Sequence, residues 1–278
     1  MGLSVTTFEQ IVYEVDHGVA IVTLNRPERL NAWTPQMSSE IFEAMQIASN
    51  DDAVKVIIIT GSGRGFCAGI DNKNINEISE NTSRKREMPI VESGMDGAVR
   101  NDFHGLFSYF PAVGKPIIAA INGPLAGSGL VLALACDLRF AAKEAVLSTS
   151  FVRLGLTAEH GITWLLNKII GVTNTHDLLL SARRVSADEA YAMGMFNKVY
   201  KGEDLMLEVK KYARDIADHC SPRSIKVVKR QIWESLLEGL HETVEKANKE
   251  MILSFSTEDF KEGVASSKEK RKAIFVGR

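Results

Sequence analysis

The sequence predicts an α/β fold followed by an all-helical C-terminal region. Three observations carry that prediction. Apolar strand-like runs alternate with helix-like periodicity as far as about Tyr200. Twice, an apolar run opens into a glycine-rich turn, in "VIIITGSGRGFCAGID" and in "PIIAAINGPLAGSGLVLALAC". Beyond residue 202 every segment reads as helix. We therefore expect a core unit over residues 1–202 and a helical region over residues 203–278. With 278 residues, 45% of them hydrophobic and 24% charged, the chain can bury a core of that size.

The elements follow in order. "FEQIVYEVDHGVAIVTLNRP" is rich in β-branched residues and broken at His17-Gly18, which predicts a hairpin ending at Pro27. Thr34 can cap a helix with Pro35 in its first position, and Ile41, Met45 and Ala48 then share one face. "VKVIIIT" is a continuous apolar strand, to be buried on both sides. From Lys73 to about Arg100 the chain is polar and charged, which predicts a mobile loop or short helices. "DFHGLFSYFPAVGKP" predicts a helix running into a turn, "PIIAAIN" a second buried strand, and "GSGLVLALAC" a buried helix. "DLRFAAKEAVLSTS" predicts two short strands. Ser186 with Glu189 forms a capping box ahead of a helix stopped by Gly194. Ser221 with Pro222 opens a further helix.

Composition limits the function. A formal charge of −2 gives no basic field to draw nucleic acid. Cys67, Cys136 and Cys220 are an odd, scattered set without disulfide or zinc spacing, so reduced thiols, a cytoplasmic location and no metal are expected. The N-terminal "MGLSVTTFEQ" lacks the basic and apolar regions of a secretory signal. It fits the loose myristoylation pattern without a polybasic partner, and we read that as coincidence. The apolar run at residues 117–136 is broken by Asn122, Gly123 and Pro124, so it reads as strand, turn and buried helix and no membrane span is expected.

The glycines of the first turn match neither a phosphate loop nor a dinucleotide fingerprint. Glycine allows a substrate to approach the main chain closely and tolerates positive φ. Two such turns side by side can aim N–H groups at one carbonyl oxygen, and the second also opens a helix with its positive dipole end. The alternative is a pair of structural tight turns.

Taken together, "LNRPERLNAW", "GRGFCAGID", "KPIIAAINGPLAGSGLVLALACDLRFAA", "LGLTAEHGITWLL" and "STEDFKEGVASSKEKRKAIFVGR" resemble the crotonase superfamily of enoyl-CoA hydratases and isomerases, in order along nearly the whole chain. The resemblance implies a spiral of ββα units with a C-terminal helical trimerisation region. It implies an acyl-CoA substrate whose coenzyme A is the only cofactor, and a homotrimer or a hexamer built as a dimer of trimers. It also implies an oxyanion hole made by the backbone N–H groups of Ile70 and Ser128. The family usually carries glycine where Ser128 stands. Ala68, Gly69, Asp71 and Gly127 would frame the thioester. Arg29, with Arg26 nearby, would meet the nucleotide end of coenzyme A, and the basic run Lys268, Lys270, Arg271 and Lys272 could reach a neighbouring subunit's coenzyme A.

The reaction turns on what stands around that hole. The two glutamates of a family hydratase correspond to Val131 and Phe151, neither of which can carry a proton. Glu159 instead resembles the acidic residue of the family's peroxisomal-type 3-enoyl-CoA isomerases and of its bacterial ring-opening isomerases of phenylacetate breakdown. One carboxylate suffices to take a proton from C2 and return it at C4 while the enolate rests in the hole. The resemblance therefore implies a 3-enoyl-CoA to 2-enoyl-CoA isomerase with Glu159 as base and Val131 and Phe151 as apolar lining. For Glu159 a plain role as a helix-start acid stays open, and His160 beside it could tune the site. Asp71 and Asp137 could be catalytic or could order their loops. Cys67 reads as a small buried residue. The alternatives are a hydratase, then a thioester hydrolase or decarboxylase, and more remotely an idle coenzyme A-binding or RNA-binding homologue.

Overall fold

The computed structural model describes residues 4–71 and 100–278. Strands β1 (Ser4–Thr7), β2 (Ile11–Asp16) and β3 (Val19–Leu24) form an antiparallel meander. The β2–β3 corner is the expected His17-Gly18, with φ of 49° and 77°. Helix α1 (Pro35–Asn50) starts as predicted, Thr34 accepting from the Met37 N–H at 3.0 Å. The chain then adds β4 (Val56–Gly61), β5 (Ile117–Ile121), the two-residue β6 (Leu125–Ala126) and helix α2 (Ser128–Ala135). After these come β7 (Leu138–Ala142) and β8 (Val146–Ser148), the two short strands expected there.

Helix α3 (Ile162–Ser181) is bent at Gly171, whose φ of 74° and ψ of 165° are not helical. Next come β9 (Val185–Ser186), α4 (Ala187–Ala192) and β10 (Lys198–Tyr200). The Ser186 hydroxyl caps α4 by accepting from Glu189 N–H, and Gly194 closes it at φ 84°. The helical region holds α5 (Leu205–His219), α6 (Pro222–Ser235), α7 (Leu240–Ser254) and α8 (Glu258–Glu269). Ser221 caps α6 through Ser224 N–H at 3.1 Å.

The main sheet has the order β1-β2-β3-β4-β5-β7-β10, parallel from β3 onwards, and β6-β8-β9 form a second, small sheet. Both faces of the parallel part are covered, so β4 reads as an unbroken apolar run. Ile57 and Ile59 face one way, into the core shared with Ile41, Met45 and Ala48 of α1. Val56 and Ile58 face the other, against Leu205, Val209 and Ala213 of α5. Helix α2 is apolar all round because all eight of its residues are buried.

Two expectations need correction or fall outside. Residues 101–113 do not form a helix: they make two single-turn 3₁₀ segments, Asn101–Phe103 and Phe110–Ala112. Gly105 weakens helical continuity there, and Pro111 removes a donor. Phe103, Phe107 and Phe110 still bury their rings. The polar stretch 73–99, expected to be a loop or short helices, lies outside the described residues.

Helix α6 is fastened to the sheet by one carboxylate. Asp137 accepts from Ile117 N–H at 2.7 Å and from the Trp233 indole N–H at 2.8 Å, and pairs with the Lys229 ammonium at 2.8 Å. Of the roles left open for Asp137, this is the ordering one. Lys229 also donates to the Lys115 carbonyl at 3.0 Å.

Candidate active site

The two glycine turns lie against each other. Ala126 N–H donates to the Cys67 carbonyl at 3.0 Å, and Phe66 N–H to the Pro124 carbonyl at the same distance. Gly69 has a φ of +92°, and a Cβ there would stand 2.9 Å from the Ala126 carbonyl oxygen. A Cβ on Gly129 would stand only 2.2 Å from the Cys67 oxygen. Gly127 has a φ of +47°, and a Cβ on it would lie 3.9 Å from Gly69 Cα. Glycine is needed because two stretches of main chain touch.

The direction of the Ile70 amide follows from its neighbours. Ile70 forms an isolated parallel bridge with Trp33. Trp33 N–H donates to the Gly69 carbonyl at 2.7 Å, and Asp71 N–H donates to the Trp33 carbonyl at 3.1 Å. Successive backbone groups alternate in direction along an extended chain, so the Ile70 N–H points away from Trp33. Ser128 is the first residue of α2, where an N–H has no acceptor within the helix. Among the described residues, neither the Ile70 nor the Ser128 N–H donates to a backbone carbonyl.

Polar side chains hold the first turn from behind. Asn31 is completely buried with a φ of 54°. It accepts from Arg26 N–H at 2.8 Å and donates to the Ser62 and Gly65 carbonyls at 3.0 and 2.9 Å. Asn122 accepts from Gly61 N–H at 3.1 Å and donates to the Gly63 carbonyl at 3.0 Å. Sequence reasoning missed both; Asn122 beside Gly123 in "ING" carried a turn signal, whereas "RLNAW" carried none for Asn31. Arg26 does not reach outward. Its guanidinium donates to the Ala32 carbonyl at 2.7 Å and pairs with Asp71 at 2.8 Å, with both side chains largely covered. Asp71 thus orders its loop. Burial pushes the Cys67 thiol up to about 12, which leaves it an inert core group.

The other expected residues sort by exposure. Val131 and Phe151 are buried in the main core. Ala68 is exposed on the first turn, its N–H given to the Leu30 carbonyl at 3.0 Å. Arg29 is exposed at the end of the single 3₁₀ turn Pro27–Arg29. In the C-terminal basic run, Arg271 is paired with Glu262 and Glu269.

Glu159 lies just before α3, outside its first turn, with its carboxylate 43% exposed. His160 and Gly161 follow with φ of 54° and 73°, two left-handed residues in succession that redirect the chain into the helix. The His160 Nε2 stands 3.4 Å from a Glu159 oxygen. Its ring meets Phe107 edge-on at 5.0 Å, and Phe107 meets Trp33 at 4.8 Å. A continuous aromatic series therefore joins Trp33, which fixes the Ile70 amide, to the segment bearing Glu159. Among the described residues no three His, Cys, Asp or Glu side chains gather as a metal site would require.

Comparison with known proteins identifies the family and the fold. A family model described as "Enoyl-CoA hydratase/isomerase" matches residues 14–278. A 1,2-epoxyphenylacetyl-CoA isomerase of Escherichia coli K12 is 31% identical over 272 residues, covering 97% of this chain and 99% of the relative. A crotonyl-CoA hydratase of Syntrophomonas wolfei is 34% identical over 272 residues, covering 98% and 99%. A crystal structure of an enoyl-CoA hydratase subunit I from Geobacillus kaustophilus HTA426 superposes with a TM-score of 0.83 at 33% identity, covering 98% of this chain and all of that one. The expected crotonase-like α/β fold is thereby met.

Proposed function

Because the chain belongs to the enoyl-CoA hydratase/isomerase family, we propose that it shifts the double bond of a 3-enoyl-CoA to the 2-position. The thioester oxygen is held by the Ile70 and Ser128 amides, and Glu159 carries the proton. One observation carries this reading. Of the three candidate acids, Asp71 is paired with Arg26 and Asp137 with Lys229 and Trp233, whereas Glu159 is half-exposed beside His160.

The steps follow from that arrangement. The amides stabilise the charge that develops on the thioester oxygen as Glu159 removes a C2 proton. The dienolate negative charge spreads to C4, where the same carboxyl group returns the proton. Buried Val131 and Phe151 keep water from being activated at the positions a hydratase would use. Gly69, Gly127 and Asp71 shape the turn around the thioester, Ala68 borders it, and Arg29 offers an exposed charge to the nucleotide phosphates.

Incubation with 3-enoyl-CoA should give 2-enoyl-CoA without 3-hydroxyacyl-CoA. Glu159→Gln should lower turnover by about 100-fold or more while coenzyme A binding persists. Unchanged turnover in Glu159→Gln would remove Glu159 from this role. A hydratase is the second reading, favoured by the crotonyl-CoA hydratase relative. Its mark would be 3-hydroxyacyl-CoA formed from a 2-enoyl-CoA. We also propose that the chain assembles as a homotrimer or a dimer of trimers in the cytoplasm. Exposed apolar residues in the C-terminal helices support the assembly, Leu240 at 82% and Ile252 at 68% exposure among them. Among the described residues no helix is long and apolar enough to cross a membrane.

A further inference from the structure

A cavity of about 230 Å³ opens beside His160. Phe103, Phe107, Ala135, His160, Trp164 and Trp233 make up half of its lining residues. The indoles of Trp164 and Trp233 lie nearly parallel, 16° apart with centroids at 6.5 Å. Trp233 is fixed by its bond to Asp137, so this wall is held in place from the sheet.

The cavity lies at the opposite end of α2 from Ser128, one of the two proposed oxyanion donors. Ala135 and Ser128 are the last and first residues of α2. Seven residues make almost two whole turns, so Ser128 and Ala135 share a face and stand about 10 Å apart. The wall residue Phe107 also touches Trp33, whose backbone bridges Ile70. With carbon–carbon bonds of about 1.5 Å laid in a zigzag, roughly eight bonds span 10 Å. An apolar cavity of about 150 Å³ accommodates a benzene ring, so this one has room for several carbons or a phenyl group.

We infer that this cavity receives the distal end of the acyl group, and that the protein acts on medium-chain acyl-CoAs, with tails of about eight carbons or more, in preference to four-carbon ones. This rests on the acyl-CoA reading given above. A butanoyl group anchored at Ser128 would end short of Ala135. A decanoyl group would place its last carbons between Trp164, Trp233 and Phe107. Each methylene buried there replaces water contact with apolar wall, worth about fourfold in affinity.

The test uses saturated acyl-CoAs, which bind without reacting, measured by calorimetry on the whole chain. Decanoyl-CoA should bind at least tenfold tighter than butanoyl-CoA. 6-Phenylhexanoyl-CoA should show the same gain. Ala135→Leu fills the cavity from α2, and Leu165→Phe, at a further lining residue, fills it from α3. Each should reduce the decanoyl advantage to threefold or less and leave butanoyl-CoA affinity unchanged. Equal affinity for the two chain lengths in the wild type would overturn the inference, as would a full decanoyl advantage in a folded filled variant. If length-dependent binding appears but no enoyl-CoA is converted, the isomerase reading fails and the tail site stands. If four-carbon enoyl-CoAs are converted and length brings no gain, the reverse holds.

Discussion

Ser128 offers a way to test a main-chain donor with a side-chain substitution. It occupies the first position of α2, where proline is tolerated because the N–H has no helical acceptor. Ser128→Pro deletes the proposed donor, and the expected loss in turnover is about 100- to 1,000-fold. Ser128→Gly keeps the N–H, removes the hydroxyl and should retain activity within about tenfold of wild type. Steady-state kinetics on folded variants, checked by circular dichroism, read both outcomes. At this scale the sequence was legible where chemistry is local. The Thr34, Ser186 and Ser221 caps and the glycines of the two turns can be read from short windows. Asn31 could not be, because its partners Ser62 and Gly65 lie more than thirty positions away. Arg26 shows the opposite error: an exposed-looking basic residue is in fact committed to Asp71, 45 positions on.

Elements were legible where periodicity and punctuation agree. The β2–β3 hairpin, α1, β4 and α2 follow from their patterns alone. The 3₁₀ turns around Phe103 and Phe110 did not, since their aromatic side chains are buried by tertiary packing and no helical repeat is needed to bury them. The attachment of α6 also lay beyond local reading, because Asp137 and Lys229 meet only in the fold. Removing the carboxylate with Asp137→Ala leaves Lys229 buried without its counter-charge and Trp233 without its acceptor. The expected destabilisation is about 3 kcal/mol, measured by urea unfolding. At the C-terminus, Glu262 accepts from Arg271 and from Ile274 N–H, and these bonds lower its carboxyl from 4.5 to about 2. A depressed folded value gives stability that is present above the unfolded value and lost as pH falls through the folded one. The contact of the 272–278 tail with α8 should therefore weaken between about pH 4.5 and pH 2, seen as faster hydrogen exchange at Ile274. Glu262→Gln should remove that dependence.

For the molecule as a whole, the covered sheet contrasts with the uncovered helices. Both faces of the parallel strands are closed by α1 and α5, yet Leu240, Ile252, Leu253 and Phe255 stand more than half exposed. Apolar surface of this kind, rimmed by charge, is what the proposed assembly would cover. Sedimentation should show an assembly larger than a monomer. Ile252→Glu should shift the population toward monomer without changing the far-ultraviolet spectrum of the subunit.

The fastening at Asp137 has a further consequence for dissecting the chain. A fragment ending before Pro222 would keep the carboxylate but lose the ammonium and the indole that satisfy it. The strip of Leu134, Leu138 and Leu165 that α6 flanks would lie open to solvent. Such a piece should be recovered as aggregate rather than as a free-standing half, so the C-terminal helices are part of what lets the sheet fold at all.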